Sequence, residues 1–431
     1  MARLGAFCFP GTGHINPMTA LARALQQRGH EVVIFGIADC EARVRAAGVE
    51  FCRIGEEDYP PGTLRRLDER LGELKGLATF RFTVERVKNT ARMILRDGPE
   101  AVRKSGVEAL LVDEADLGGS VAEHLGLPFV SIAMFPPLIQ DDRIPPFCFG
   151  WAAGQDRLSR LRNQFGFRLL SKVAAPVFNV VNKQRRAWGL PPLKRSTDAL
   201  SSLAQIAQLP AALEFDVPGK PAILHYTGPF VDARQRPPVD FPWERLDGRP
   251  LIYASLGTLQ NGSEAIFRTI AEGCAGLEAQ LVISLGGGLE PSRLGALAGG
   301  PVVVRYAPQL EVVKRAAVVI THAGLNTVLE SLAEGVPLVA LPLGNDQPGV
   351  AARVAARGAG VVIPQKKLNA RKLRAAVQTV LHNESYHRAA GALKKAIAEA
   401  DGLNRAAGII EDALGIRTAR WNAWMESVAA D

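Results

Sequence analysis

What most restricts the fold of this 431-residue chain is its rhythm: two successive series of short apolar runs, mostly separated by helical stretches. In the first series the run Leu4–Phe9 leads into a glycine- and proline-bearing turn from Pro10 to Pro17. A helix with Leu21 and Leu25 on one stripe follows, from Met18 to Gln27, and then a second strand, Glu31–Phe35. Strand, helix, strand is the β-α-β unit, which implies a parallel sheet. The pattern continues with strands at Ala109–Val112 and Phe129–Ile132 and a helix from Gly119 to Leu125. A second series has strands at Leu251–Ala254, Gln280–Ile283, Val302–Val304, Ala317–Ile320 and Pro337–Leu341. Between the series, Arg234–Pro242 carries Pro237, Pro238 and Pro242 and reads as an extended linker. The expected fold class is therefore α/β with two halves of similar size. The halves are residues 1–230 and 246–410, joined by a linker at 231–245 and followed by a helical tail that ends near Trp421 and Trp424.

Composition removes several alternatives. With 47% hydrophobic and 22% charged residues the chain can bury a core without staples, which excludes disorder, collagen and a disulfide scaffold. Five cysteines at 8, 40, 52, 148 and 274 contain no CxxC, so neither a disulfide framework nor a zinc site is expected. The net charge of +8 falls well short of a nucleic-acid-binding arm and suits an anionic small ligand or an acidic membrane surface. No apolar run reaches the roughly 18 residues of a membrane span, and the N-terminus does not read as a signal peptide. A cytoplasmic protein is expected. From Arg157 to Arg186 there are eight basic residues and no acidic one, interleaved with Leu161, Phe165, Phe167, Leu169 and Leu170. That stretch is either a solvated helical face or a patch that touches the inner face of a membrane.

Two places carry chemistry. The first is the turn Gly11-Thr12-Gly13-His14-Ile15-Asn16 between the first strand and helix. It is half of a dinucleotide fingerprint, with Asn16 at the third glycine position and an imidazole where a pyrophosphate would need room. A histidine at a helix start feels the positive end of the dipole, which favours the neutral ring a general base needs. Its orienting partner is expected at Asp113, on the C-terminal end of the strand 110–112, with Asp116 as the second choice.

The second place runs from Tyr306 to Gln347. A strand, Val318–Thr321, enters a tight turn, His322-Ala323-Gly324, that opens a helix. Backbone N–H groups of Asn326 and Thr327 then point at an anion, with the helix dipole behind them. His322 can donate to a phosphate oxygen and Glu330 can accept from two ribose hydroxyls. Tyr306 offers a flat face to a base, and Asp346 and Gln347 offer paired groups to sugar hydroxyls. Thr327-x-x-Glu330 is also a capping box, which would account for both residues without a ligand. No Asp-x-Asp occurs, which argues against holding a nucleotide through a divalent cation.

Together these stretches resemble a family 1 glycosyltransferase of the GT-B fold, two Rossmann-like domains facing a cleft. Within that family the resemblance is to the bacterial carotenoid (zeaxanthin) glucosyltransferases. It is carried by residues 306–347, by Gly11–Pro17, by Ser202–Leu209, by Ala254–Gln260 and by Leu343–Ala351, and it spans nearly the whole chain. The resemblance implies inverting, metal-independent transfer of a hexose, glucose foremost, from a UDP-sugar to a lipophilic hydroxylated acceptor, a carotenoid diol or a flavonoid-like phenol, with no cofactor. It implies that His14 is the base and Asp113 its partner. Ala307 would meet the base edge, and Gln309 and Glu330 would hold the ribose. His322, Asn326 and Thr327, with Ser255 and Thr258, would hold the diphosphate, with Gly13, Gly257 and Gly324 completing the donor site. Tyr306 stands where plant members carry a tryptophan that stacks on uracil, which leaves uridine and thymidine nucleotides both open. The family's C-terminal helix crosses back onto the first domain, a role for 411–431 here. Apolar loops just past a strand end, with Phe135, Pro136, Leu138, Ile144 and Phe147, are the expected acceptor pocket. A nicotinamide-dependent oxidoreductase is the remote rival. It would need a carboxylate ending the second strand, and the nearest, Asp39, lies several residues beyond Phe35. A non-catalytic binding protein on the same fold is the other.

Overall fold

The computed structural model describes residues 1–431 except 75–76, 218, 233, 235, 237, 259–261 and 418–431. In the first lobe the elements run β1 (Arg3–Phe7), α1 (Thr12–Gln27), β2 (Glu31–Gly36), α2 (Ala38–Ala46), β3 (Glu50–Arg53), α3 (Thr63–Glu73), α4 (Leu77–Ser105), β4 (Ala109–Asp113), α5 (Gly119–Leu125), β5 (Phe129–Ala133), α6 (Arg157–Ala187), β6 (Gln205–Ala207) and β7 (Leu224–Tyr226). They form a seven-stranded parallel sheet in the order β3-β2-β1-β4-β5-β6-β7. The second lobe runs β8 (Leu251–Ser255), α7 (Glu264–Cys274), β9 (Gln280–Ser284), α8 (Pro291–Leu294), β10 (Val302–Val304), α9 (Gln309–Val313), β11 (Ala316–Thr321), α10 (Leu325–Ala333), β12 (Leu338–Ala340), α11 (Gln347–Ala356), β13 (Gly360–Val362), α12 (Ala370–His382) and α13 (Glu384–Ala400). Its sheet is six-stranded and parallel, in the order β10-β9-β8-β11-β12-β13.

Both sheets are doubly wound, and this places the site. In the first, the chain steps outward from β1 to β3 and returns on the other side of β1 with β4. In the second, it steps from β8 to β10 and returns beside β8 with β11. Ligands collect outside the carboxyl ends of strands at such reversals. The residues standing there are His14 after β1, Asp113 ending β4, Ser255 ending β8 and His322 after β11.

The central strands are largely apolar because both faces are covered by helices; β4, β5 and β8 are buried along their whole lengths. The helices bury one stripe each. On α12, Leu373, Ala376, Val377 and Val380 are the buried set, at helical spacing, and Asn369 caps the start by accepting from the Lys372 N–H. One apolar cluster crosses between the lobes. It joins Ala207, Leu209, Leu213 and Tyr226 to Tyr253, Val312, Val313 and Val350. A buried ion pair crosses beside it, with Arg353 Nε donating to Glu214 Oε1 at 2.8 Å and the Phe215 ring 4.7 Å from the guanidinium.

After α13 the backbone breaks at Asp401, in the left-handed region with φ 45°, and α14 (Gly402–Leu414) packs on α1 and β5 of the first lobe. The crossing therefore starts at Gly402 rather than at 411, and residues 402–410, expected in the second domain, pack against the first. Ala406, Ala407 and Ile410 enter the first lobe's core. Glu411, fully buried, accepts from Arg28 Nε at 3.0 Å and Nη2 at 2.5 Å and pairs with His30 Nε2 at 3.1 Å. Trp421 and Trp424 lie outside the described residues. Among the described residues no helix is long and apolar enough to cross a membrane.

Candidate active site

A single cleft of about 2190 Å³ runs between the lobes, lined from both. On the first-lobe side helix α1 begins at Thr12, earlier than the sequence suggested, so the glycine-rich stretch is itself the first helical turn and His14 its third residue. His14 Nδ1 lies 2.6 Å from Asp113 Oδ2. Asp113 is fully buried at the strand end and accepts from the Phe9 N–H (3.3 Å) on Oδ2 and the Ala115 N–H (3.0 Å) on Oδ1. The Nδ1 contact leaves His14 Nε2 for the cleft, and 21% of the side chain is exposed there. Burial pulls the imidazole pKa down, but the Asp113 charge and hydrogen bond, helped by Asp346 and Asp116, outweigh it, and the net is above the usual 6.5. Asp113 thus overrides the helix dipole that favoured the neutral ring. Asp116 does not bond His14; its Oδ1 caps the Leu117 N–H at 2.7 Å, and burial pushes it up to about 7.

On the second-lobe side Gly324 is the N-cap of α10 and Leu325, Asn326 and Thr327 form its first turn. The capping-box alternative fails for that reason: Thr327 is the third helical residue, not the cap. The free N–H groups of this turn face the cleft. His322 is wedged between two glycines. A Cβ on Gly257 would stand 2.6 Å from the ring, and one on Gly324 would overlap it. Burial pushes His322 down to about 4, which favours the neutral ring. Between them Ala323 holds φ 66°, a left-handed conformation unusual for alanine, and Asn345 holds φ 54° in the loop before Asp346. Glu330 Oε2 accepts from Gln309 Nε2 at 2.6 Å, and Gln309 Oε1 accepts from the Tyr253 hydroxyl at 3.2 Å. The other oxygen of Glu330 is held by Arg236 from the linker. Tyr306 is 48% exposed at the cleft wall, and Gln347 Oε1 fixes the preceding loop by accepting from the Leu343 and Gly344 N–H groups.

The two sides touch. Pro17, inside α1, has no N–H to give to the Gly13 carbonyl four residues back. That carbonyl accepts instead from Asn326 Nδ2 of the other lobe, at 2.8 Å. Gln208 Nε2, after β6, donates to Asn326 Oδ1 at 3.0 Å and to the Met134 carbonyl. Gly349, in the first turn of α11, abuts the Phe147 carbonyl so closely that only hydrogen fits. His14, the α10 turn and the Phe147 loop are thereby held in one frame.

Every expected donor-site residue lines the cleft: Gly13, Ser255, Gly257, Thr258, Tyr306, Ala307, Gln309, His322, Gly324, Asn326, Thr327, Glu330, Asp346 and Gln347. Of the acceptor set, Phe135, Leu138 and Phe147 line it, and the Phe135 ring is 6.2 Å from His14. Two do not belong. Ile144 packs with Phe215 and Val217 in a small core cluster, and Pro136 is buried away from the cleft wall. The loop is fastened by residues the sequence did not suggest: Glu114 accepts from the Leu138 N–H (2.8 Å) and from Gln205 Nε2 (2.6 Å). Part of the apolar wall is also new, from Phe9 and the α6 residues Phe167, Leu170, Val173 and Phe178, beside Val87 of α4. Asp39, which the oxidoreductase reading needed, caps α3 by accepting from the Gly62 and Leu64 N–H groups.

Two facing doubly wound lobes, with an anion cradle on one and a histidine–carboxylate pair on the other, define a glycosyltransferase of the GT-B class. Residues 197–399 match the family model for UDP-glucoronosyl and UDP-glucosyl transferases, and residues 10–140 match the N-terminal domain of glycosyltransferase family 28. The chain is 32% identical over 411 residues to the zeaxanthin glucosyltransferase of Pseudescherichia vulneris, covering 94% of this chain and 96% of that one. It is 29% identical over 417 residues to the zeaxanthin glucosyltransferase of Pantoea ananas, covering 96% of each. Among solved structures, the glycotransferase of kitacinnamycin superposes with a TM-score of 0.73 at 22% identity, over 96% of this chain and 99% of that one. The chain belongs to the family 1 UDP-glycosyltransferases, enzymes that move a sugar from a nucleotide to an acceptor.

Proposed function

We propose that the chain transfers glucose from UDP-glucose, with inversion and without a metal ion, to a hydroxyl of a lipophilic acceptor, a carotenoid diol such as zeaxanthin foremost. The observation that carries this is the His14–Asp113 pair at 2.6 Å, set across one cleft from the α10 turn and beside an apolar wall. Neutral His14 takes the acceptor proton on Nε2 as the oxygen attacks the anomeric carbon from the side opposite the diphosphate. Asp113 steadies the imidazolium that forms. Help of this kind is worth about 10²- to 10⁴-fold. The departing diphosphate meets the α10 N–H groups, His322, Ser255 and Thr258, donors placed where charge develops. Such donors do for the leaving group what a cation would otherwise do. Glu330 and Gln309 take the ribose, Tyr306 and Ala307 the base, and Asp346 and Gln347 the hexose. The cleft is about twice the upper end of ordinary small-molecule pockets, roughly 1,000 Å³, which suits a nucleotide-sugar and a long acceptor held together.

The test is an acceptor panel with UDP-glucose and TDP-glucose, in the presence and absence of EDTA, read by mass shift. Zeaxanthin should gain hexose from UDP-glucose with EDTA present, and NMR should show a β-linkage. Transfer to flavonoids but never to zeaxanthin would overturn the acceptor, and loss of transfer in EDTA would overturn the metal-free mechanism.

A further inference from the structure

Among the described residues, four of the eight exposed large hydrophobic side chains fall on one stripe of α6: Leu158 (79% exposed), Leu161 (61%), Phe165 (63%) and Leu169 (43%). The spacing of three, four and four keeps them on one helical face. The cations of the helix divide into two groups. Arg160 pairs with Asp142, Arg162 holds the Ala152 carbonyl and stacks on Trp151, and Arg185 is buried against Glu123. Arg157, Arg168, Lys172, Lys183 and Arg186 have no acidic partner among the described residues, and all five are exposed. An apolar stripe flanked by unneutralised cations is complementary to an anionic lipid surface, with the apolar side chains entering the acyl boundary and the cations facing the headgroups. The opposite face of the same helix lines the cleft through Phe167, Leu170, Val173 and Phe178, and Leu169 belongs to both sets. Leu169 thus stands where the stripe meets the apolar wall of the cleft.

We infer that the outer face of α6 docks the enzyme on an anionic bilayer and takes the lipophilic acceptor from it directly into the cleft. The docking stands on the helix face alone; the use made of it rests on the acceptor reading proposed above. Vesicles of phosphatidylcholine, alone or in equal parts with phosphatidylglycerol, are mixed with the full chain and separated by flotation. The protein should float with the anionic vesicles at low salt and be released at high salt. L161E/F165E should abolish flotation. R168Q/K172Q should weaken partition about 25-fold, since each cation near such a surface contributes about fivefold. These four residues lie outside the cleft lining, so both variants should keep native transfer to a water-soluble phenol. Native protein that ignores anionic vesicles would overturn the inference. So would binding unchanged in both variants, or a lipid-free dimer by light scattering that L161E/F165E dissolves, which would make the stripe a self-association face. Flotation with no transfer to vesicle-borne zeaxanthin would uphold the docking and overturn the acceptor reading instead.

Discussion

Replacing Asp113 by asparagine isolates what the carboxylate does for His14. Each of its oxygens already accepts from a backbone N–H, Oδ2 from Phe9 and Oδ1 from Ala115, and Oδ2 also meets His14 Nδ1. An amide has only one acceptor oxygen. Whichever way it turns, its NH₂ faces a backbone donor, and in the orientation that suits Ala115 it also faces His14 Nδ1. The ring then carries its proton on Nε2 and cannot receive one from the acceptor. Where the ring keeps the useful tautomer, the imidazolium formed in the transition state has lost its counter-charge. Two unit charges about 4 Å apart interact by about 4 kcal/mol at an effective dielectric of 20, so kcat should fall on the order of 10³-fold. The pH profile carries an independent signature. The base works neutral, so the rate climbs as His14 loses its proton, and the native acid limb should lie above 6.5. Without Asp113 burial dominates, and the limb should move to lower pH. Initial rates of sugar transfer by mass spectrometry, from pH 5 to 9, give both numbers for native, D113N, H14A and H14A/D113N enzymes. The double variant should be no slower than H14A, because the two residues act as a unit. A D113N enzyme within tenfold of native, with its acid limb unmoved, would falsify the pairing as the catalytic device.

The remaining predictions follow from the contacts around the site. Arg236 holds an oxygen that the ribose is proposed to use, so R236A should tighten UDP binding up to about fivefold by calorimetry, the scale of a partly exposed ion pair; weaker binding would mean that Arg236 serves the donor. Glu114 fastens the Leu138 loop through two hydrogen bonds, so E114A should raise the acceptor KM about tenfold, as two buried donors lose their acceptor, with the UDP-glucose KM unchanged. Equal changes in both KM values would place its effect on the whole fold. E411A removes the buried carboxylate that Arg28 and His30 share and should cost about 3–5 kcal/mol in urea unfolding, whereas E69A, from the exposed Arg65–Glu69 pair, should leave the urea midpoint where it is. A similar loss in the two would show that the α14 clasp is not a buried ionic contact.

Much of this was legible because buried parallel strands write themselves as unbroken apolar runs that stop at the first polar residue. The stopping points Asp113 and Ser255, and His322 one residue past the stop at Thr321, line the cleft. Where a three-residue strand is also mixed in polarity the signal vanishes: Gln205–Ala207 and Leu224–Tyr226 complete the first sheet, yet Gln205 and His225 break their apolar runs, whereas the equally short Val302–Val304 stands out as three valines. Loop hydrophobes were ambiguous for another reason. Ile144 and Phe147 read alike, and what separates them is that Phe215 and Val217, some seventy residues on, cover the first and leave the second facing the cleft. Cations in one basic run also read alike until their neighbours are known, as Arg160 and Arg168 show.

The hardest feature to read was Pro17, and it bears most on how the enzyme is assembled. A proline six residues into a helix argues locally for a boundary, and the glycines before it argue the same, so the sequence by itself predicts a turn from Pro10 to Pro17. In the fold the helix starts at Thr12 and accepts the proline, at the cost of one unmade hydrogen bond. The carbonyl so released is Gly13, beside His14, the proposed base, and the group that takes it is Asn326, in the turn proposed to meet the diphosphate. The apparent defect in one lobe is thus the latch for the other. Its partner lies 313 residues away, and no local rule connects them. A leucine at 17 would restore the helical N–H and compete with Asn326 for that carbonyl, loosening the registry of base and anion cradle while leaving both sites intact. Registry of this kind is where orientation contributes most to rate, which is why a residue with no chemistry of its own belongs to the catalytic frame.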